Sequence, residues 1–122
     1  MEEETSTGLN PNVAGLLCYL VGWVTGIIFL LIEKDNRFVR FHAIQSIIVF
    51  GAITVLSIIL TILTGVFGFL GPMGFVSLIL GAISTIIWII ALILWIVLMV
   101  KAYQGEYFML PAAGGMAEKH LG

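Results

Sequence analysis

The longest uncharged stretch of this chain covers residues 43–100, 58 residues without one Asp, Glu, Lys or Arg. About 20 apolar helical residues cross a hydrocarbon core that is about 30 Å thick, so the stretch is too long for one crossing. Its strongest turn signal is Gly71-Pro72-Met73-Gly74, which leaves an apolar segment on either side that can cross once. The stretch therefore predicts two membrane-spanning helices, at about 43–69 and 74–100.

A third apolar run precedes this stretch, over residues 13–32, and it also carries no charge. Asn10-Pro11 just before it is typical of a helix N-terminus, and 20 helical residues are about 30 Å long. A secretory signal needs a basic segment in front of its apolar run, whereas this chain has Glu2, Glu3 and Glu4 there. We therefore predict a retained first span, helical over residues 11–32.

The composition indicates that lipid surrounds most of the chain. Hydrophobic residues make up 61% and charged residues 10%, and the mean hydropathy is +1.17. A soluble domain has about 25% charged residues. The net charge of −2 comes without a basic cluster, which argues against nucleic-acid binding. The spacing of His, Cys, Asp and Glu matches no metal site, and no nucleophile–base set is visible. We predict no enzyme activity, no catalytic residues, no metal and no cofactor.

These features predict an all-α integral membrane protein built as a three-helix bundle. An acidic N-terminal tail covers residues 1–12. The membrane domain covers residues 13–110, with spans at about 13–32, 43–69 and 74–100. A flexible C-terminal tail covers residues 111–122.

The distribution of basic residues predicts the orientation of this bundle. Three crossings place five basic residues on one side and none on the other: Lys34, Arg37, Arg40, Lys101 and Lys119. Four crossings would divide the same residues three against two. The positive-inside rule then puts the N-terminus outside and the C-terminus in the cytoplasm of a multi-pass cell-membrane protein.

The charged segment between the first two spans is the candidate interaction loop. Glu33 and Arg37 are four residues apart and can pair on one helical face. Two interpretations stay open: a loop that fixes topology and extends its arginines to the headgroups, or a surface that binds a partner or an anionic lipid. The candidate residues are Glu33, Lys34, Asp35, Arg37, Arg40, His42 and Gln45.

His42 and Gln45 open the second predicted span. Polar groups at this depth commonly bond a neighbouring helix or the interface, which is the first interpretation. Proton handling by His42 is the alternative. A proton relay in a membrane needs further ionisable residues, and residues 43–100 contain no charged one, which argues against proton-coupled transport.

Small and hydroxylated residues recur at helical spacing in each span. Helices in lipid associate through close backbone approach and short hydrogen bonds, which such residues permit. They predict a packing seam within the chain, with a homo-oligomer interface or a narrow polar path as alternatives. The packing candidates are Gly22, Gly26, Thr54, Ser57, Thr61 and Gly81.

Tyr103 and Tyr107 follow the last span and are predicted to anchor it at the interface. One of these rings is expected to pack against Phe38 or Phe41. Because the loop and the start of the C-terminal tail emerge on the same side, we also expect Arg37 or Arg40 to meet Glu106 or the carbonyls around Gly105.

Several blocks of sequence resemble a known family: Leu17-Cys18-Tyr19-Leu20, Thr25-Gly26, residues 33–46 and Ala102-Tyr103-Gln104-Gly105-Glu106. They are similar to small bacterial and archaeal membrane proteins that are catalogued as a domain of unknown function. That group is distantly similar to the chloroplast inner-envelope protein-import component, a four-helix subunit of a protein-conducting translocon. The resemblance covers roughly residues 13–119. It implies a multi-pass membrane protein and supplies no catalytic residues.

The sequence therefore favours a non-enzymatic scaffold or interaction subunit with a charged cytoplasmic loop. Its expected partners are the lipid bilayer and either a second copy of the chain or a larger membrane complex. The alternative is a channel or transporter component for a small solute, built around the hydroxyl groups of the second span.

Overall fold

The computed structural model describes residues 5–69, 71, 74–110 and 113–121. These residues contain five helices and no strand. The helices are α1 Pro11–Leu20, α2 Trp23–Ile32, α3 Arg37–Phe69, α4 Gly74–Tyr103 and α5 Ala113–Lys119. Helices satisfy their own backbone hydrogen bonds, as lipid requires, and the all-α prediction is confirmed.

Two of these helices are long and apolar enough to cross a bilayer. Helix α3 has 33 residues and α4 has 30, which correspond to about 50 Å and 45 Å. They match the second and third predicted spans, although α3 begins earlier, at Arg37. The first predicted span is wrong. Residues 11–32 form two helices of 10 residues, each about 15 Å long and half the thickness of the hydrocarbon core.

The break in the first predicted span lies at Gly22, whose φ of +62° and ψ of −134° suit only glycine. The Thr25 hydroxyl compensates for the helical bonds that are lost. It accepts from the Val21 N–H at 3.1 Å and lies 3.2 Å from both the Cys18 and the Gly22 carbonyls. Ser46 of α3 donates to the Gly22 carbonyl at 2.9 Å. An apolar run predicts helix but does not reveal such a break, because its cause is one backbone conformation supported by two hydroxyls.

Helix α1 starts at the end of the molecule where α4 ends. The Asn12 amide donates to the Tyr103 carbonyl at 2.9 Å. Seven residues later the Tyr19 carbonyl accepts from the Trp95 indole N–H at 2.7 Å. Since Trp95 is eight residues before Tyr103, α1 runs inward along α4.

Helix α2 returns to the same end along α3. A Cβ on Gly22 would lie 3.3 Å from Phe50, and one on Gly26 would lie 2.9 Å from the Ala43 carbonyl. Phe29 of the last turn packs in one apolar cluster with Ala43. Helices α1 and α2 therefore form a hairpin whose tip lies beside Phe50, about 20 Å along α3 from Arg37.

The hairpin places the N-terminal segment beside the loop that follows α2. The Ser6 N–H donates to both Glu33 carboxylate oxygens, at 3.0 and 2.9 Å. A three-span chain would separate these residues by the thickness of the membrane. The predicted three-helix bundle is therefore corrected to two candidate spans and one hairpin that returns to its own side.

The buried residues concentrate at this same end of the molecule. Three apolar clusters lie there, one between α1, α2 and α3, one between α1 and α4, and one between α3 and α5. The other half of α3 and α4 exposes apolar side chains, up to 92% for Phe69 and 78% for Leu78. An apolar exterior of this kind suits a lipid solvent.

Helix α5 lies in the tail that was predicted to be flexible. Its buried Ala117 packs with Phe41 and Ile44 of α3. This part of the tail is folded onto the bundle, and its mobility stays a prediction.

We predict that three exposed positions react from the same side of the membrane and a fourth from the other side. Single cysteines at Leu9, Lys34 and Met116, in a Cys18→Ala background, should be labelled together by an impermeant maleimide. A cysteine at Phe69 should be labelled only from the opposite side. Sealed vesicles of both orientations provide the measurement. If the cysteines at positions 9 and 69 were labelled from the same side, the three-span topology would be supported and the hairpin contradicted.

We predict that Gly26→Ala destabilises the fold by about 1–3 kcal/mol, because the new methyl group would lie 2.9 Å from a backbone carbonyl of α3. Gly81→Ala is the matched control, since a Cβ there meets nothing within 4 Å and gains helix propensity. Unfolding in mild detergent measures both variants. Equal stability of the two would contradict close packing of α2 on α3.

Candidate functional site

Every charged residue of the chain lies in residues 2–4, 33–40 or 101–119. The structure brings the described parts of these segments to one end of the molecule, where they meet the N-terminal segment. We call this part the charged end, formed by residues 5–10, 33–42 and 101–110 together with α5. It contains the candidate interaction loop.

Glu33 is the centre of the loop and is fully buried. Besides the two bonds from Ser6, its carboxylate accepts from the N–H groups of Asp35 at 3.2 Å and Asn36 at 3.1 Å. The Ser6 hydroxyl donates to the Asp35 carboxylate at 3.0 Å and accepts from the Lys34 N–H. One carboxylate thus joins the N-terminal segment, the end of α2 and the start of α3.

The bonds at Glu33 also set its protonation. Burial raises the pKa of this carboxyl, but the hydrogen bonds from Ser6, Asn36 and Asp35 favour its charged form and hold the net pKa below its ordinary 4.5. Glu33 is therefore an anion whose carboxylate stabilises the loop through hydrogen bonds to the backbone.

Two further side chains close helix ends in this loop. The side-chain amide oxygen of Asn36, Oδ1, accepts from the Val39 N–H at 3.1 Å and caps the start of α3. The Arg40 guanidinium donates to the carbonyls of Leu30 at 3.2 Å and Glu33 at 2.7 Å, at the end of α2.

Glu106 was expected to meet an arginine, and the structure gives it other partners. Its carboxylate lies 3.4 Å from the Lys101 ammonium. Its carbonyl lies 2.9 Å from His42 Nε2. Arg40 is engaged at the end of α2 instead. The loop and the tail do meet, but through a histidine and a backbone carbonyl.

His42 and Gln45 form a buried polar network with Tyr19 of α1. The Tyr19 hydroxyl lies 2.6 Å from His42 Nδ1, and Gln45 Nε2 donates to that hydroxyl at 2.9 Å. Gln45 also donates to the Phe108 carbonyl at 2.9 Å and accepts from the Leu110 N–H at 3.0 Å. The three polar side chains are fully buried.

The backbone fixes every proton of this network. A backbone N–H can only donate, so the Leu110 N–H sets the Gln45 amide with Oε1 toward it and Nε2 toward Tyr19. The Tyr19 hydroxyl accepts from Gln45 and donates to His42 Nδ1. The other ring nitrogen then carries the hydrogen and donates to the Glu106 carbonyl. His42 is therefore a neutral imidazole with its hydrogen on Nε2.

The network explains why polar side chains occur inside an apolar bundle. Residues 106–110 are not helical, so their backbone groups need partners elsewhere. His42 and Gln45 supply three such bonds. The sequence pattern indicated His42 and Gln45 as polar contacts but did not indicate Tyr19. Because the neighbours of Tyr19 are apolar, its position is typical of a packing residue.

Aromatic rings complete the charged end. The Tyr107 ring lies 5.1 Å from that of Phe38 and 5.2 Å from that of Phe41, between ring centroids, as expected for one of the two tyrosines. Tyr103 is 57% exposed. Lys34, Asp35 and Arg37 are the exposed charged residues of the loop, and the Asp35 carboxylate also accepts from Ser6.

The packing candidates divide into two groups. Gly22 and Gly26 lie against α3. Thr54 and Thr61 donate to carbonyls of their own helix, and a Cβ on Gly81 would meet nothing within 4 Å. The Ser57 hydroxyl is buried and has no hydrogen-bond partner among the described residues.

The described residues hold no group of three or more His, Cys, Asp or Glu side chains that could bind a metal ion. The buried Glu33 and His42 side chains form hydrogen bonds within the chain. The charged end therefore presents a fixed surface that carries exposed charges of both signs.

Comparison with known proteins relates this arrangement to a family. The model of the magnetosome magnetite crystal formation protein family matches residues 4–116. A UPF0132 membrane protein of Methanocaldococcus jannaschii is 47% identical over 117 residues, which are 96% of this chain and 94% of that protein. A UPF0132 membrane protein of Archaeoglobus fulgidus is 41% identical over 115 residues, 93% of this chain and 98% of that protein. No solved structure matches the chain.

We predict that Glu33→Gln destabilises the fold by about 1–3 kcal/mol at neutral pH, because a buried charged acceptor for three backbone N–H groups is lost. Since the pKa of Glu33 is lowered in the fold, its contribution is complete above pH 4.5 and disappears as the pH falls through the folded-state value. Unfolding between pH 7 and 3 should show the gap to wild type closing below pH 4.5. The exposed Glu118→Gln is the control, and an equal loss there would contradict the role of Glu33.

Proposed function

This chain belongs to the magnetosome magnetite crystal formation protein family, and we propose that it is a non-enzymatic scaffold or interaction subunit of a membrane complex. Its relatives in archaea are named only as membrane proteins, in a group of unknown function. A small membrane protein without known activity is what the sequence predicted. The similarity to the chloroplast import component stays a prediction.

The observation that carries this proposal is the assembly of the charged end from distant parts of the chain. Ser6 bonds Glu33, the Glu106 carbonyl bonds His42, and Ala117 packs on α3. Four segments are thus held in one fixed arrangement. A preformed surface loses little conformational entropy when it binds, which favours recognition of a partner.

The exposed charges of this surface are the candidate contacts with that partner. Lys34, Asp35 and Arg37 extend from the loop, and Glu118 and Lys119 from α5. Both signs are present and interspersed. Such a surface suits a protein partner with a complementary pattern better than a uniformly anionic ligand.

The same charges support a cytoplasmic location for the charged end. All five basic residues of the chain belong to it. With two spans and a returning hairpin, the positive-inside rule places both chain termini in the cytoplasm. This orientation replaces the N-terminus-outside arrangement that three spans would require.

The buried network supports a structural rather than a catalytic role. Tyr19, His42 and Gln45 use their hydrogen-bonding groups within the chain. A catalytic base needs access to a substrate proton. Here the imidazole faces a tyrosine hydroxyl and a backbone carbonyl.

The name of the family mentions magnetite formation, and the function proposed for this chain does not include it. The two archaeal relatives reported above are described as membrane proteins, without reference to a mineral. The proposal depends on the charged end of this chain alone.

A channel or transporter component for a small solute is the second candidate. A recess of about 290 Å³ opens at the hairpin tip, between Gly22, Thr54, Trp88 and Trp95. A second recess of about 330 Å³ shares Thr54 and Trp88 and includes Ser57, whose hydroxyl has no partner among the described residues. The second recess thus lies beside a hydroxyl of α3, that of Ser57, that has no partner among the described residues, whereas the Thr54 hydroxyl donates to the Phe50 carbonyl.

The scaffold proposal is tested by photo-cross-linking in native membranes. A photoreactive residue at Lys34 or Glu118 should give discrete adducts, and the same residue at Leu78, which is exposed at the far half of α4, should not. Charge reversal by Lys34→Glu with Arg37→Glu should abolish the adducts at Glu118, while Thr61→Val should leave them. Identical adducts at Leu78, or none at the charged end, would contradict a partner surface there.

Solute flux separates the second candidate from the first. Liposomes containing the purified chain should remain tight to ions and neutral solutes if it is a scaffold. Flux that Thr54→Val or Ser57→Ala reduces would favour a channel component instead.

A further inference from the structure

Residues 106–110 are a non-helical segment between α4 and α5, and we call them the strap. Three hydrogen bonds from two buried side chains hold them: His42 to the Glu106 carbonyl, and Gln45 to the Phe108 carbonyl and the Leu110 N–H. All three reach backbone atoms. The strap is thus attached to α3 through two side chains that share one buried network, and one of the two is a titratable ring.

We propose that the strap is an acid-released device, closed over α3 while His42 is neutral and opened when the imidazole becomes charged. The proposal concerns the chain by itself and does not depend on whether the charged end binds a partner.

The trigger follows from the proton positions in the network. In the closed form Nδ1 accepts the Tyr19 hydroxyl hydrogen. A charged imidazole carries a hydrogen on both nitrogens, so Nδ1 can no longer accept. The Tyr19 oxygen already accepts from Gln45, and its own hydrogen would be left without an acceptor in the network. One proton on His42 therefore reverses the bond to Tyr19 and leaves the Tyr19 hydroxyl hydrogen without an acceptor in the network, while the Nε2–H bond to the Glu106 carbonyl remains.

The surroundings of His42 make the charged form costly while the strap is closed. His42 is fully buried. The Phe38 ring lies 4.5 Å from its ring and the Phe41 ring 5.1 Å, between centroids. A cation without a paired anion is expensive in such a site, and exposure to water relieves it.

The titratable groups around His42 do not compensate a positive charge. Helix α1 contributes Tyr19, and the strap contributes Tyr107, whose ring stacks at 6.4 Å. The Glu106 carboxylate is already paired with Lys101 at the end of α4. From α5, Ala117 packs on α3, while the charged residues that follow it are exposed.

The chain has a joint at which the strap can move. Gly105 has a φ of +80°, a conformation that glycine adopts without strain, and it directly precedes the strap. The side chains that the strap covers are Phe38 and Phe41, both fully buried in the closed form. Opening would expose an aromatic surface at the charged end, so acidification would change the surface that this end presents.

The test measures strap mobility against pH in the full-length chain. A nitroxide spin label at Met109, which is 43% exposed, reports the strap in a Cys18→Ala background. A label at Leu78 serves as the reference. Spectra in nanodiscs between pH 7.5 and 4.0 should show the Met109 label become mobile as the pH falls, with no change at Leu78. The transition should reverse on return to neutral pH.

Two variants assign the transition to His42. His42→Gln keeps an amide donor for the Glu106 carbonyl but cannot titrate, so its strap should stay immobile throughout. Tyr19→Phe removes the bond that only the neutral ring accepts, so its transition should move to higher pH. An immobile strap in the wild type down to pH 4.0 would overturn the proposal, as would the same transition in His42→Gln. Circular dichroism confirms that each variant is folded.

Discussion

The break at Gly22 is the feature on which the rest of the structure depends. Backbone groups that leave a helix within an apolar protein must find other partners, and the hydroxyls of Thr25 and Ser46 supply them. With those bonds made, α1 and α2 can form a hairpin instead of one span. The hairpin brings the N-terminal segment back to the loop that follows it. The charged end exists because of this return.

The charged end repeats the same physical rule on a larger scale. In two non-helical parts of the charged end, buried polar side chains bind the backbone groups that a helix would have bonded internally. Glu33 does so for the loop and the N-terminal segment, and His42 with Gln45 does so for residues 106–110. Each of these side chains would be costly to bury alone. Together with the backbone groups that they bind, they hold the segments of the charged end in place.

The proposed function of this end depends on the groups that stay exposed after folding. The buried carboxylate and imidazole are occupied within the chain, which leaves Lys34, Asp35 and Arg37 as the accessible groups of the loop. The far half of α3 and α4 offers lipid an apolar exterior and two recesses. A surface for recognition at one end and a lipid-facing pair of helices at the other suit a membrane scaffold. A histidine within the fixed surface adds a place where pH can act.

The sequence alone determined the helical class, the two long apolar helices and the collection of basic residues near their shared ends. These three features depend on the hydropathy and the charge of many residues, and neither property changes with the way in which the side chains pack. It also singled out His42 and Gln45. Only the tertiary structure decided that residues 11–32 turn back at Gly22, that Glu33 binds Ser6, and that Tyr19 orients His42. Those features depend on single backbone angles and on hydrogen bonds between residues far apart in the chain, which no local pattern encodes.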